Sequence, residues 1–369
     1  MLDFTSALYL GMRHASGSLQ PWEQLTTGVP AALAAPAAAA ELAQALAQLQ
    51  GCERAVLAPS TLHLFWDLCG LLGGKSAAIY MDDGLYPVGR WGVERAAARG
   101  SMALTFPHHD AASLRALLLR RRGRARPVIV TDGFCPGCAR PAPLADYLEL
   151  ARTFGGQLIM DDTQSIGIFG RAPGRAAPYG YGGGGTLRLL GASDENVLVI
   201  SSLAKGFGVP VATLAGSSAA IRDFEMRSET RIHCSPPSIA SLRALSNALA
   251  VNRRRGDALR LQLQRLVRYF RALLRRLGLA ADGGLFPVQT LAGLPAGRAE
   301  ELHASLEEYG VRAVLRSDRC RGGPRLSFIL NALHTTEMLD LAVCALARAA
   351  RCAGVSLRPA RSLPPCVNV

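Results

Sequence analysis

The stretch NVLVISSLAKGFGVPVATLAGS (196–217) holds two apolar runs, 197–201 and 211–215, joined by a glycine-rich turn that carries Lys205. Apolar runs rich in β-branched residues and bounded by turn residues predict buried strands. Gly206 and Gly208, which follow Lys205, allow the backbone to approach a bound group closely. We therefore expect a lysine held at the edge of a buried sheet.

Lysine is rare in this chain. Of its 41 basic residues, only Lys75 and Lys205 are lysines. Arginine cannot replace an amine nucleophile, because its guanidinium stays protonated. A lysine in a partly desolvated pocket has a lowered pKa and can attack an aldehyde. Lys205 is thus predicted to form a Schiff base rather than to be a surface lysine.

On both sides of this turn, predicted strands alternate with predicted helices. Further strands are expected at 78–81, 127–131 and 157–161, and helices at 114–122 and 144–154. This alternation predicts an α/β fold with a mostly parallel sheet covered by helices on both faces.

The predicted domains are an N-terminal arm and helix at 1–44, a large domain at 45–240, a connecting helix at 241–283 with an interruption near Gly256, a small C-terminal α/β domain at 284–356, and a disordered tail at 357–369.

Composition narrows the class of protein and its location. Nine scattered cysteines, an odd number, favour reduced thiols in a cytoplasmic protein over a disulfide framework. We expect neither a membrane span nor a signal peptide. The net charge of +13 is spread through helical segments, and its densest cluster, 120–126, follows a leucine-rich helix. We read it as a solvated helix end or as a basic face for an acidic carrier protein, and expect no nucleic-acid partner.

Two other segments contain residues suited to bind a cofactor. In LIMDDTQSIGIFG (158–170), a buried strand ends in Asp161 and Asp162, where ligands bind in open α/β sheets. Only one of the two can face the cleft, and such a carboxylate could hold a proton on a pyridine nitrogen. In VLAPSTLHLFWDL (56–68), Ser60 and Thr61 open an apolar helix, a suitable place for a phosphate. The alternatives are a helix-capping or metal-binding role for the two aspartates and an ordinary N-cap role for Ser60 and Thr61.

Six segments together resemble the α-oxoamine synthase family of pyridoxal 5′-phosphate (PLP) enzymes. They are LDFTSALYLGM (2–12), FPHHDAASL (106–114), VTDGFCPGCARPAPLADYLELARTFGGQLIMDD (130–162), SSLAKGFG (201–208), CSPPS (234–238) and RLSFILNALHT (325–335). Members of this family condense an amino acid with an acyl thioester. The resemblance implies a fold type I PLP transferase, working as a homodimer with active sites at the subunit interface.

The resemblance assigns roles to individual residues. It makes Lys205 the Schiff-base lysine and Asp161 the partner of the pyridinium nitrogen. The implied phosphate ligands are Ser60, Thr61 and Ser202, with Cys234 or Ser235 approaching the phosphate of the neighbouring subunit.

The chain departs from the family pattern at several positions. Gln164 replaces a histidine that bonds the cofactor's phenolic oxygen, and Tyr86 replaces the histidine that stacks on the ring. Ser327 stands where an arginine clamps the amino-acid carboxylate. Leu8 and the TTGVPAAL stretch replace an asparagine and an arginine near the N-terminus.

These departures leave the amino substrate open. Either Arg90, Arg316 or Arg325 replaces the missing clamp, or the amino substrate has no free α-carboxylate. The leading hypothesis is condensation with an acyl thioester carried by coenzyme A or a carrier protein. The alternatives are a PLP-dependent aminotransferase, decarboxylase or lyase, and a binding protein that has lost catalysis.

The remaining motifs have simpler interpretations. The CPGC sequence at 135–138 is a single Cys-x-x-Cys pair, for which structural thiols are favoured over a zinc or redox site. His63 and His334 are expected in the core. The GYGGGG run at 180–185 is expected to be a flexible surface loop.

Overall fold

The computed structural model describes residues 1–74, 76–120, 125–295, 297–317 and 322–355. The predicted tail at 357–369, Lys75 and most of the basic cluster lie outside the described residues. Within the described residues, no helix is both long enough and apolar enough to cross a membrane.

The α-helices are α1 Ala38–Gln50, α2 Thr61–Leu72, α3 Pro87–Ala98, α4 Ala111–Arg120, α5 Leu144–Thr153, α6 Thr186–Leu190, α7 Ser218–Arg227, α8 Glu229–His233, α9 Ile239–Arg276, α10 Arg298–Glu308 and α11 Thr336–Cys352. The strands are β1 Leu2–Asp3, β2 Arg54–Ala58, β3 Ala77–Asp82, β4 Met102–Phe106, β5 Arg126–Asp132, β6 Phe134–Cys135, β7 Arg140–Pro141, β8 Gln157–Asp161, β9 Val197–Ser202, β10 Ala212–Gly216, β11 Ala280–Asp282, β12 Val288–Ala292, β13 Val311–Arg312, β14 Val314–Ser317 and β15 Pro324–Ile329.

The chain divides into two compact units. The larger unit comprises the described residues of Met12–Cys135 and Pro141–Gly256, and the smaller unit comprises Met1–Gly11, Pro136–Arg140 and the described residues from Asp257 onward. Helix α9 runs through Gly256, so the expected interruption there is wrong. A glycine within a helix costs only about 1 kcal/mol, which a long amphipathic helix can absorb. The domain boundaries drawn from the sequence remain predictions.

A seven-stranded sheet forms the centre of the larger unit. Its strand order is β2-β10-β9-β8-β5-β3-β4, and only β10 runs antiparallel to its neighbours. The predicted fold class, a mostly parallel α/β sheet, is confirmed.

Side chains of this sheet alternate between two apolar layers, as strand geometry requires. Val130, Ile159 and Ile200 pack on one face, together with residues of α2 and α3. Tyr80 and Met160 pack on the other face, with residues of α4 and α5. These two layers fix the direction of any side chain at the end of a strand.

The smaller unit has an antiparallel sheet of order β11-β12-β15-β14, and β1 pairs in parallel with β13. The core interpretation of His334 is confirmed. Its ring is buried, lies 3.0 Å from the Asp3 carbonyl oxygen and accepts a hydrogen bond from the Asn331 amide at 3.1 Å.

The glycine run at 180–185 is not a flexible surface loop, and this expectation was wrong. Gly183, Gly184 and Gly185 are buried. The loop leads into α6, whose first residue, Thr186, donates its amide and its hydroxyl to the Asp162 carboxylate at 2.9 and 2.5 Å. Glycine is required because the Asp162 carboxylate lies where a side chain on Gly185 would be.

We expect Gly185→Ala to lower the free energy of unfolding by about 2–4 kcal/mol. The substitution adds a Cβ at a φ of +87° and against the Asp162 carboxylate. Gly174→Ala is the matched control, because a Cβ there has open space. Denaturant unfolding of both variants measures the difference, and equal stabilities would show that the packing of this loop does not matter.

Candidate active site

Three neighbouring parallel strands of the larger unit end in aspartate. Asp82 ends β3, Asp132 ends β5 and Asp161 ends β8. Asp132 and Asp161 are register partners across the two adjacent strands. The carboxyl ends of parallel strands are where ligands bind in open α/β sheets, so the acidic edge marks the candidate site.

Strand alternation assigns these aspartates to different faces. Asp132 follows Val130 by two residues and Asp161 follows Ile159 by two, so both point to the face that α2 and α3 cover. Asp82 follows Tyr80 by two and points to the face that α4 and α5 cover. Only Asp132 and Asp161 can therefore belong to a site on the α2–α3 face.

Lys205 lies on this same edge, in the turn that follows β9. Burial lowers the pKa of its amine, and the nearby carboxyls of Asp161 and Asp132 partly offset this effect. Its Nζ lies 5.8 Å from the centre of the Tyr86 ring. Tyr86 precedes α3 and donates its amide to Asp132 at 3.3 Å. The amine, the aromatic ring and the carboxyls thus form one group.

The pKa values of the Asp132 and Asp161 carboxyls are both raised. Desolvation raises the pKa of Asp132 well above its usual range, and the charge of Asp161 raises it further. Desolvation also raises the pKa of Asp161, although this carboxyl accepts the Thr163 amide at 2.9 Å. One buried and one partly buried carboxyl beside a single lysine favour a further cation or a bound proton.

Close backbone contact brings the lysine turn against the turn after β8. A Cβ placed on Gly167 would lie 3.0 Å from the Cα of Gly206, and one on Gly206 would collide with the Ile166 carbonyl. On the far side of the lysine, the His14 ring lies 2.8 Å from the Phe207 carbonyl oxygen. These contacts hold Lys205 near Asp161.

The start of α2 is suited to an anion. The Ser60 hydroxyl pairs with the His63 ring at 2.9 Å and, in the described structure, makes no capping bond to the helix amides. The first amides of α2 therefore keep their capacity to bind a phosphate. Thr61 is the first residue of this helix. Ser202 ends β9 on the α2–α3 face, where its amide donates to the Thr163 hydroxyl at 2.9 Å.

The other predicted residues of the larger unit lie around this group. Gln164 is partly buried in the turn after β8, and Ser235 is exposed after α8. Arg90 lies one helical turn after Tyr86, and its Nη2 donates to the Asp83 carbonyl at 2.9 Å.

In the smaller unit, the predicted substrate residues are engaged locally. Ser327 is fully buried and its hydroxyl pairs with that of Thr290 at 2.8 Å. Arg325 donates to Asp282 at 2.7 Å and to the Leu291 carbonyl at 3.1 Å. Arg316 lies in β14.

Sequence reasoning did not identify Asp132, Thr163 or His14 as parts of the site. Asp132 ends its strand just as Asp161 does, so the same rule about strand ends could have found it. His14 gave no local signal, because its partner lies 193 residues away in sequence.

These residues fit PLP. The uncapped start of α2 suits its phosphate, Lys205 suits its aldehyde and Asp161 suits its ring nitrogen. The glycine contacts hold the lysine turn where it is needed. The excess of buried carboxyl groups also fits a ring that carries a positive charge.

Together, the sheet order and this donor set define a fold type I PLP-dependent enzyme. The aminotransferase class I and II family matches residues 24–346, and the chain belongs to this family. The family match confirms the predictions of PLP as the cofactor and of a PLP-dependent transferase.

Curated relatives are similar in sequence. The chain is 31% identical over 257 residues to the 8-amino-7-oxononanoate synthase of Alkalilimnicola ehrlichii, covering 69% of this chain and 63% of that protein. It is 32% identical over 256 residues to the enzyme of the same name from Methylococcus capsulatus, covering 68% and 62%. The match therefore spans less than two thirds of the length of these relatives.

Solved structures share the fold. Serine palmitoyltransferase of Sphingomonas wittichii superposes with a TM-score of 0.83 at 17% identity, covering 96% of this chain and 88% of that one. The 8-amino-7-oxononanoate synthase of Francisella tularensis superposes with a TM-score of 0.72 at 18% identity, covering 96% and 98%. Both named enzymes are α-oxoamine synthases, which confirms the resemblance.

Asp162, the neighbour of Asp161, holds the start of α6, and this structural role can be tested separately from the predicted cofactor role of Asp161. It is buried and accepts hydrogen bonds from Thr186, and burial raises the pKa of its carboxyl to about 7. In the unfolded chain the pKa is about 3.9. Between pH 4 and pH 7 the Asp162 carboxyl is protonated more often in the folded state than in the unfolded chain. Its contribution to the free energy of unfolding is therefore full below pH 4 and falls as the pH rises to 7.

We expect Asp162→Asn to remove this pH dependence. The difference in unfolding free energy between variant and wild type should shift in favour of the variant by on the order of 3 kcal/mol from pH 4 to pH 7. Urea unfolding at several pH values measures the shift. Asp161→Asn is the control and is expected to weaken PLP binding. If Asp162→Asn weakened PLP binding and Asp161→Asn did not, Asp162 rather than Asp161 would be the residue that contacts the cofactor.

Proposed function

We propose that this chain condenses an amino substrate with an acyl thioester, in the manner of an α-oxoamine synthase. The observation that carries the proposal is the meeting of Lys205, Asp161 and Tyr86 beside the start of α2, at one edge and on one face of the sheet. The similarity to 8-amino-7-oxononanoate synthases favours this reaction within the family.

PLP, when bound, supplies an aldehyde for the amine and an electron-accepting ring. The chain's residues do the rest. Burial keeps a larger share of Lys205 unprotonated, so its amine can bond to the cofactor and later move a proton at the substrate's α-carbon. The Asp161 carboxylate would hold a proton on the ring nitrogen, and Tyr86 would cover the ring.

Two polar residues complete this arrangement. Asp132 accepts the Tyr86 amide and so fixes the start of α3, where the ring of Tyr86 is attached. Gln164, in the turn after Asp161, would donate an amide hydrogen bond to the phenolic oxygen of the cofactor, and it cannot titrate as a histidine would.

We assign the amino substrate's carboxylate to Arg90. Its ion pair with the exposed Asp83 is long, 3.6 Å, and its buried Nε has no hydrogen-bond partner among the described residues. An exposed pair of this kind contributes little, so the guanidinium can turn toward a substrate. Arg325 is already held by Asp282, and the hydroxyl of Ser327 by Thr290.

The acyl substrate would be carried by coenzyme A or by an acidic carrier protein, which suits the net charge of +13. We further propose a cytoplasmic homodimer with the exposed Ser235 approaching the phosphate site of the partner. An interface site agrees with the position of Ser235 outside the core.

We expect Lys205→Ala and Lys205→Arg both to abolish the borohydride-sensitive visible absorbance of bound PLP and to reduce turnover at least 1,000-fold, because neither side chain can bond to the aldehyde. Wild-type enzyme should release free coenzyme A thiol only when an amine and an acyl thioester are both present. An oxo acid formed without thioester would instead indicate transamination.

We expect Arg90→Gln to raise the KM of the amino substrate about 10- to 100-fold with little change in the KM of the thioester, since a charged hydrogen bond to a carboxylate is lost. Arg99→Gln is the matched control just after the same helix, because Arg99 pairs with Glu229 at 3.0 Å. Equal effects of the two variants would exclude Arg90 from the substrate site.

A further inference from the structure

A second group of reactive side chains lies on the opposite face of the same sheet edge. Asp82 points to the α4–α5 face and is fully buried. The Nδ1 atom of His108 lies 2.6 Å from the Asp82 carboxylate. A ring nitrogen of His108 and the sulfur of Cys135, which is also buried, lie within 4.8 Å of each other. The proposed PLP chemistry uses none of these residues.

The carboxylate of Asp82 is held firmly as an acceptor. In addition to His108, it accepts the Gly84 amide at 2.7 Å and the His109 amide at 3.0 Å. The Asp82 carboxylate accepts a hydrogen bond from the Nδ1–H group of His108, so the neutral ring of His108 carries its lone pair on Nε2.

A carboxylate behind a histidine is the usual support of a metal-binding imidazole. Such a carboxylate fixes the tautomer and the direction of the ring, and makes the ring nitrogen a stronger ligand. The backbone makes room for the histidine at Gly84, where any side chain would collide with the His108 ring. His108 is therefore oriented before any ligand binds.

The sequence supplies a second thiol for the same ion. Cys138 follows Cys135 after two residues, and Cys-x-x-Cys is a spacing at which both thiolates can bind one metal. Ligand atoms around a tetrahedral zinc lie about 3.3–3.8 Å apart, given bonds of about 2.0–2.3 Å. The separation of at most 4.8 Å between the Cys135 and His108 ligand atoms is close to this geometry.

We propose that Cys135, His108 and the Cys138 thiol of the CPGC sequence bind a zinc ion, with Asp82 supporting His108. Two thiolates and an imidazole prefer zinc among the common divalent ions. Binding deprotonates both thiols and releases two protons to solvent, without any change of oxidation state. The ion links the segment after β5 to the segment after β4, on the face away from Lys205.

The protein purified with PLP from zinc-supplemented medium tests this proposal. We expect about one zinc per chain by elemental analysis after exhaustive dialysis, and less than about a tenth of that in Cys138→Ser and in His108→Asn. Cys352→Ser, which removes an exposed thiol, should keep its zinc. Because the readout is metal content, it does not depend on the substrate or on the proposed reaction.

Cobalt provides a second measurement that does not require the variants to fold. Wild-type protein stripped with a chelator and reloaded with Co²⁺ should show an intense thiolate-to-metal absorption and the visible bands of a tetrahedral ion. Zinc-free wild-type protein, a cobalt spectrum without thiolate absorption, or a Cys135–Cys138 disulfide found by mass spectrometry in protein purified under reducing conditions would each overturn the proposal.

Discussion

Successive side chains of a β-strand point to opposite faces of the sheet, and this alternation separates the aspartates that end three neighbouring strands. Asp132 and Asp161 point to the same face of the sheet as the apolar residues beneath α2 and α3. Asp82 points to the opposite face, with the apolar residues beneath α4 and α5. One acidic edge therefore supports two different arrangements, a lysine with carboxyls on one face and a histidine with a thiol on the other. A shift of one residue in β8 would exchange the roles of Asp161 and Asp162.

The backbone around Lys205 depends on glycine for close approach rather than for flexibility. Gly206 and Gly167 contact each other at a distance that no side chain would permit. Gly185 serves the same purpose beside Asp162, where the carboxylate holds the first turn of α6. The rigidity of the site thus comes from small residues packed against fixed carboxylates. Close packing of this kind restricts the backbone that carries the lysine amine, and catalytic groups need such restriction.

Much of this could be predicted from the sequence where the signal is local. The apolar runs at 158–160 and 197–200, each followed by a polar pair, predicted the strands β8 and β9 and the positions of Asp161 and Lys205. The parts that could not be predicted depend on partners far apart in the chain. The glycine run at 180–185 resembles a mobile loop until Asp162, 24 residues before Thr186, is seen to bind its end. The partner of His108 lies 26 residues away, on another strand.

The raised pKa values of Asp132 and Asp161 belong to a group in which, among the described residues, two carboxyls face one lysine. Without a bound cation, the pair lowers its energy by keeping a proton. In the proposed function, a protonated pyridine ring beside Asp161 would supply the same positive charge. Asp132 can then hold the remaining proton while its oxygen accepts the Tyr86 amide. Asp132 would then keep the local charge balanced as Lys205 gains or loses a proton, which is a role for the second carboxyl that the proposed function supplies.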